Sequence, residues 1–122
     1  MNIEKLEKLL KNSYKKETAY LPYQDKWSKE NPTCGQCAVT SLIVQKYFGG
    51  TIHRIKLNNG DTHYFNIVKG QIIDLTREQF DVENIKIFYE ENKMIDREII
   101  LKNENTKQRY NLLLKDIKRM NR

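Results

Sequence analysis

The spacing of apolar residues changes character several times along the 122 residues. Ile3, Leu6, Leu10 and Tyr14 recur at helical spacing among lysines and glutamates, so residues 3–19 read as an amphipathic helix. Pro22 requires that helix to have ended, because the residue before a proline is pushed out of the α region. Residues 20–36 show no period and read as a long irregular segment pinned by Tyr23 and Trp27; ordered segments of this length often serve a function. From Gln36 to Phe48, two apolar stripes run side by side, Ala38, Leu42 and Gln45 beside Val39, Ile43 and Tyr47. With Val44 and Phe48 they make the segment apolar around most of its circumference, the pattern of a buried helix, and Gly49-Gly50 ends it.

The period then shortens to two. Residues 51–57 and 62–68 read as strands, and Asn58-Asn59-Gly60-Asp61 between them is a hairpin signal. A second turn at Lys69-Gly70 leads to a third strand over 71–75, completing an antiparallel meander. Residues 76–80 fit a single helical turn, residues 85–89 alternate as an edge strand would, and residues 95–102 fit a short helix. Residues 104–120 form a last helix with Tyr110, Leu113, Leu114 and Ile117 inward. The expected architecture is α+β, one domain over 1–122: a buried central helix on a small antiparallel sheet, flanked by amphipathic terminal helices.

Composition agrees with a globular chain, at 39% apolar and 31% charged residues. No apolar run is long enough to cross a bilayer, and the charged start, Met1 to Leu6, does not read as a signal peptide. The expected setting is the cytoplasm, where two cysteines are thiols rather than a structural disulfide. The net charge of +6 raises the question of nucleic acid. Basic residues are dispersed over both ends and interleaved with acids, however, so they read as solvated helix faces. Neither a membrane nor a nucleic-acid partner is expected, and no segment specifies an oligomeric state.

Candidate chemistry centres on Cys37, at the start of the buried helix. A helix N-terminus offers unpaired N–H groups and a partial positive charge. Both favour a thiolate, and the same amides can hold an oxyanion. A plain buried thiol remains the alternative. A nucleophilic cysteine needs a base, and the base an orienting acceptor. With Asn59-Gly60 as a two-residue turn, residue 57 pairs with 62 and His53 falls opposite Asn66, so His53 and His63 point to opposite faces. With a tight turn at Lys69-Gly70, residue 65 pairs with 74. His63 and Asp74 then become diagonal neighbours on one face, ~7–8 Å apart at Cβ or closer. Asp74, between Ile73 and Leu75, needs a partner there because an unpaired buried charge is costly.

Gly35 to Thr40, Phe48-Gly49-Gly50, His63 to Asn66 and above all Asp74-Leu75-Thr76-Arg77-Glu78-Gln79-Phe80 resemble the small bacterial YunG-like family over roughly residues 20–115. The motif order is similar to a compact papain-like or transglutaminase-like cysteine enzyme. That resemblance implies Cys37 as nucleophile, His63 as base and Asp74 as orienter, with an amide side chain near the oxyanion. Asn31, six residues before the cysteine, and Gln36 are the candidates for that amide. The family commonly carries tryptophan at Phe65, a mild departure. The implied activity is a thiol-dependent hydrolase or acyl-transferase on an amide or related acyl bond of a small-molecule or peptide substrate, needing no cofactor or metal. Four alternatives stand beside it: a binding module with a vestigial site, a thiol–disulfide protein using Cys34 and Cys37, a zinc site on the two cysteines and a histidine, and a nucleic-acid binder.

Overall fold

The computed structural model describes residues 1–122, the side chain of Glu83 excepted. Helix α1 covers Ile3–Ser13. Asn2 starts it, its side chain accepting from the Lys5 N–H at 2.8 Å. It ends six residues sooner than the apolar spacing suggests. Tyr14 leaves the helical region at φ −58°, ψ 138°, and its hydroxyl shares a 2.6 Å hydrogen bond with Thr40. A short 3₁₀ turn at Lys16–Thr18 and another at Leu21–Lys26 follow. The remainder of the 20–36 segment is irregular, as its lack of period implies. The Trp27 indole fastens it by donating to the Pro32 carbonyl at 2.9 Å.

Helix α2, Cys37–Phe48, is the centre of the core. Val39, Leu42, Ile43 and Val44 are fully buried, as the double stripe requires. They meet Leu6 and Leu10 of α1, Ile52 of the sheet, and Tyr110, Leu113 and Ile117 from the C-terminal end of the chain. Burial of such side chains contributes roughly 1.5–3 kcal/mol each.

The sheet is antiparallel, in the order β3-β2-β1-β4. Its strands are β1 (Thr51–Lys56), β2 (Thr62–Val68), β3 (Gln71–Ile73) and β4 (Lys93–Ile95). Three helices complete the chain: α3 (Glu78–Glu83), α4 (Arg97–Leu101) and α5 (Glu104–Met120). α2 packs on β1, β2 and α5, and α1 packs on α5. The fold is thus α+β, with the sheet and the terminal helices gathered around α2. Among the described residues, no helix is long and apolar enough to cross a membrane.

Two expectations about the sheet are corrected. Residues 85–89 form no strand; the fourth strand is Lys93–Ile95, paired with β1. Asn84 adopts the left-handed conformation at φ 55°, and Ile85 N–H bonds back to the Phe80 carbonyl. The chain therefore folds back on α3 instead of running along an edge. The β1–β2 register is also shifted by one residue. Leu57 N–H donates to the Asp61 carbonyl at 2.7 Å, and the Asn59 side chain accepts from the Asp61 N–H at 2.9 Å. Asn59 thus serves an Asx turn within a loop spanning 57–61. Lys56 then pairs with Thr62, and His53 with Phe65. Because His63 lies two residues from Phe65, both histidines share one face of the sheet.

The second turn behaves as expected. Lys69 and Gly70 take φ of 51° and 77°, and Val68 pairs with Gln71, a two-residue turn of the hairpin type. Gly50 is the other backbone constraint. It sits at φ 75°, and a Cβ there would lie 2.3 Å from the Ile67 carbonyl oxygen. Gly50→Ala is expected to destabilise by roughly 2 kcal/mol or more. Gly60→Ala, at φ 91° with open space around it, should cost about 1 kcal/mol. Denaturant midpoints measure both, and equal losses would contradict the close approach of β2 to the end of α2.

Candidate active site

Cys37 is the first residue of α2, and Gln36 holds the cap position before it. The first amides of the helix lack partners inside it and surround the sulfur with positive potential. Cys37 is half-buried. It lines a cleft of about 400 Å³ together with Tyr20, Tyr23, Tyr64, Phe80 and Arg109, within the range of small-ligand sites. Tyr20, Tyr23 and Gly35 of the irregular segment form part of the lining, and Trp27 does not.

His63 lies on β2 and is fully buried. Its Nε2 donates to Asp74 Oδ2 at 2.7 Å. Its Nδ1 is buried with no hydrogen-bond partner, and Cys37 is near enough to act on the charge of the ring. The imidazole is therefore bonded to the carboxylate on one side and open towards the thiol's influence on the other. Burial works against its positive charge, but the Asp74 hydrogen bond and the charges of Asp74 and Cys37 outweigh that penalty and lift its pKa to about 9. At neutral pH the ring is cationic.

Asp74 follows β3 and faces three donors. Tyr89 Oη donates to Oδ2 at 2.7 Å, beside His63 on the same oxygen, and Thr76 Oγ1 approaches Oδ1 at 3.5 Å. The Asp74 side chain is only 5% exposed, so these donors replace the water a carboxylate needs. Burial, together with the adjoining carboxylate, holds the Tyr89 hydroxyl well above the ordinary phenol range, so it remains a donor. The Phe80 ring meets His63 edge-on, centroids 4.6 Å apart at 83°.

The other histidine is set apart by its partners, since it shares the face of His63. His53 bonds Thr51 Oγ1 and Asn92 Oδ1, each at 2.7 Å, and stacks on Phe65 at 5.6 Å. The expectation that the two histidines point to opposite faces does not hold. Even so, among the described residues no three His, Cys, Asp or Glu side chains form a group able to hold a metal. Cys34 is buried.

The structure brings Cys37, His63 and Asp74 together, but not the two amide candidates. Gln36 Nε2 donates to the Lys15 carbonyl at 3.2 Å, and its buried Oε1 has no partner. Asn31 sits in the turn that bridges to Ser28. Neither lines the cleft. Gln79 does line it, yet its side chain ties the two halves of the site: Oε1 accepts from the Gly35 N–H at 3.2 Å, and Nε2 donates to the Thr76 carbonyl at 3.0 Å. Tyr89 was hidden within the expected edge strand. A tyrosine at the end of an alternating run carries no mark of a buried carboxylate 15 residues upstream.

The chain belongs to the YunG family, whose model, described as YunG protein, matches residues 2–121. It is similar to the Bacillus subtilis (strain 168) protein described as Uncharacterized protein YunG, with 37% identity over 78 residues. That match covers 64% of this chain and 63% of the relative's own length. No solved structure matches.

The elevated His63 pKa links to stability with a definite sign. The proton is held more tightly in the folded state than at the ordinary value of 6.5. Its contribution is complete below pH 6.5 and lost as pH rises through about 9. Denaturant unfolding at pH 6 and pH 9.5 should show that loss, on the order of 2–3 kcal/mol, and His63→Gln should remove it. The same decline in the variant would refute the linkage.

Proposed function

We propose that this protein is a thiol-dependent hydrolase or acyl-transferase acting on an amide or related acyl bond, in the manner of a minimal papain-like or transglutaminase-like enzyme. The observation that carries the proposal is His63, bonded to Asp74 at Nε2, with its other nitrogen unpartnered and its charge acted on by Cys37, which lines the cleft. A histidine serving only the core would not need to keep a buried ring nitrogen unpartnered beside a cysteine at a helix start.

In this reading Cys37 and His63 rest as a thiolate–imidazolium pair, the proton already on the ring, and Asp74 holds the imidazolium in orientation. The thiolate attacks the acyl carbon, forming a carbon–sulfur bond as the carbonyl electron pair moves to oxygen. The first amides of α2 are available to donate to that oxygen. The oxyanion then collapses, the bond to the leaving nitrogen or oxygen breaks, and His63 gives the leaving group its proton. A thioester on Cys37 remains. Water, or an acceptor amine or alcohol, gives a proton to His63 and attacks the thioester; the carbon–sulfur bond breaks, the acyl group leaves on the acceptor, and the Cys37 thiolate is restored beside the protonated His63. Tyr89, through Asp74, is a positioning residue for the base. The paired thiol chemistry fits a reducing compartment, and we assign the protein to the cytoplasm on that basis.

An acylating thiol probe should label Cys37, and Cys37→Ala should abolish labelling while circular dichroism stays unchanged. His63→Gln should slow labelling at pH 7 by about 10²-fold or more. Labelling that persists at Cys34 in the Cys37→Ala protein would overturn the assignment of the nucleophile.

A further inference from the structure

The Cys37 cleft contains a cation with no counter-charge. Arg109 on α5 is 3% exposed and lines the cleft, and among the described residues no carboxylate forms an ion pair with it. A buried guanidinium ordinarily has an acidic partner. This one is held by neutral oxygens. Nε donates to Asn105 Oδ1 at 2.9 Å, Nη1 to the Thr18 carbonyl at 3.3 Å and Nη2 to Thr106 Oγ1 at 3.1 Å. The Tyr20 ring lies under it, 5.8 Å from the central carbon.

The remaining donor capacity has a specific form. A guanidinium has five N–H bonds, and three are engaged. One N–H is left on each terminal nitrogen, the number that a carboxylate takes in a bidentate pair. The reacting sulfur is close enough for its charge to be felt at Arg109. Charge balance in the cleft points the same way. Its lining holds Arg54 and Arg109 against Asp61, while a Cys37 thiolate and a His63 imidazolium cancel each other. The cleft therefore carries a net positive charge, half of whose cationic lining is buried.

We propose that the cleft takes an acyl substrate bearing a carboxylate close to the scissile bond, and that Arg109 is the residue that selects it. The proposal rests on the thiol-acyl reading for its reaction, but the anion site is defined by Arg109 itself. The side chain is locked by three hydrogen bonds before any ligand arrives, so little rotamer entropy remains to be lost on binding. An uncharged analogue would leave the guanidinium desolvated and unmatched, and that penalty is the source of selectivity.

Iodoacetate and iodoacetamide, matched in size and differing in charge, test the selection at Cys37. The wild-type protein should favour iodoacetate by about tenfold, the scale of a charge-assisted pair. Arg109→Gln should remove most of that preference, whereas Arg54→Gln should reduce it only slightly. Arg109→Lys, which keeps the charge and loses the fork, should fall between and covers the case in which Arg109→Gln fails to fold. Equal rates for the two reagents in the wild type, or a preference unchanged in Arg109→Lys and Arg109→Gln, would overturn the proposal. If Cys37 reacts with neither reagent, the nucleophile assignment falls, and the anion site is read separately in Cys37→Ser protein. There the Arg109 Nε–H resonance should shift saturably with glutarate and not with glutaramide; identical responses, or none, would refute the anion site as well.

Discussion

A carboxylate almost without access to water organises this molecule around itself. Asp74 can stay ionised inside the fold only if donors from elsewhere converge on it. They come from three separate stretches of chain: His63 from β2, Tyr89 from the segment after α3, and Thr76 from its own turn. His63 then passes the constraint on, because a charge on the buried ring is favoured by Asp74 on one side and by Cys37 at the start of α2. The sheet, the buried helix and the connection after α3 are thereby fixed relative to one another by one charge.

The run from Asp74 to Phe80 distributes the consequences. Asp74 orients the imidazole, and Phe80 closes over the edge of the same ring. Gln79 reaches the other way, to the backbone N–H of Gly35. Gly35 sits at φ 72°, and a Cβ there would come within 3.0 Å of the Tyr20 backbone nitrogen. Tyr20 N–H in turn bonds the Gly35 carbonyl at 2.8 Å. The irregular segment before α2 is thus held in register by contacts no periodic pattern encodes. One short stretch ties the base to its acceptor and the cysteine loop to both.

This division explains what the sequence disclosed. Helix α2 was legible because the consecutive residues Val39 to Val44 of its two stripes all bury, and α5 because Tyr110, Leu113 and Ile117 keep strict spacing. The His63–Asp74 pair was legible because Lys69-Gly70 is a turn whose backbone conformation dictates a single register. The first hairpin was not, because Asn59 can either sit in a two-residue turn or cap a longer loop with its side chain, and only the fold selects. The one-residue shift that followed placed the two histidines on a shared face, so His53 is excluded by its bonds to Thr51 and Asn92 and not by direction. Asn31 and Gln36 were chosen by analogy of position, and position does not determine where an amide side chain points.

Arg109 shows the opposite failure, in which the signal was present and its meaning was obscured by composition. With a net charge of +6, each basic residue of α5 looks like one more solvated contributor. Yet Arg109 lies three residues after Thr106 and four before Leu113, on the stripe that buries. A cation on the inner stripe of an amphipathic helix conflicts with the helix's own pattern. Such conflicts persist where something offsets their cost. Here fixed neutral acceptors offset part of it, and no carboxylate among the described residues supplies the rest. Desolvation weighs against the charge, and the groups that favour it are Cys37 and Tyr20, both walls of the cleft. The same burial that makes Asp74 gather donors from the protein leaves Arg109 with donors to offer into the cleft. One charge is compensated within the chain and the other faces the space a ligand would occupy, which separates the group that builds the site from the group that reads what enters it.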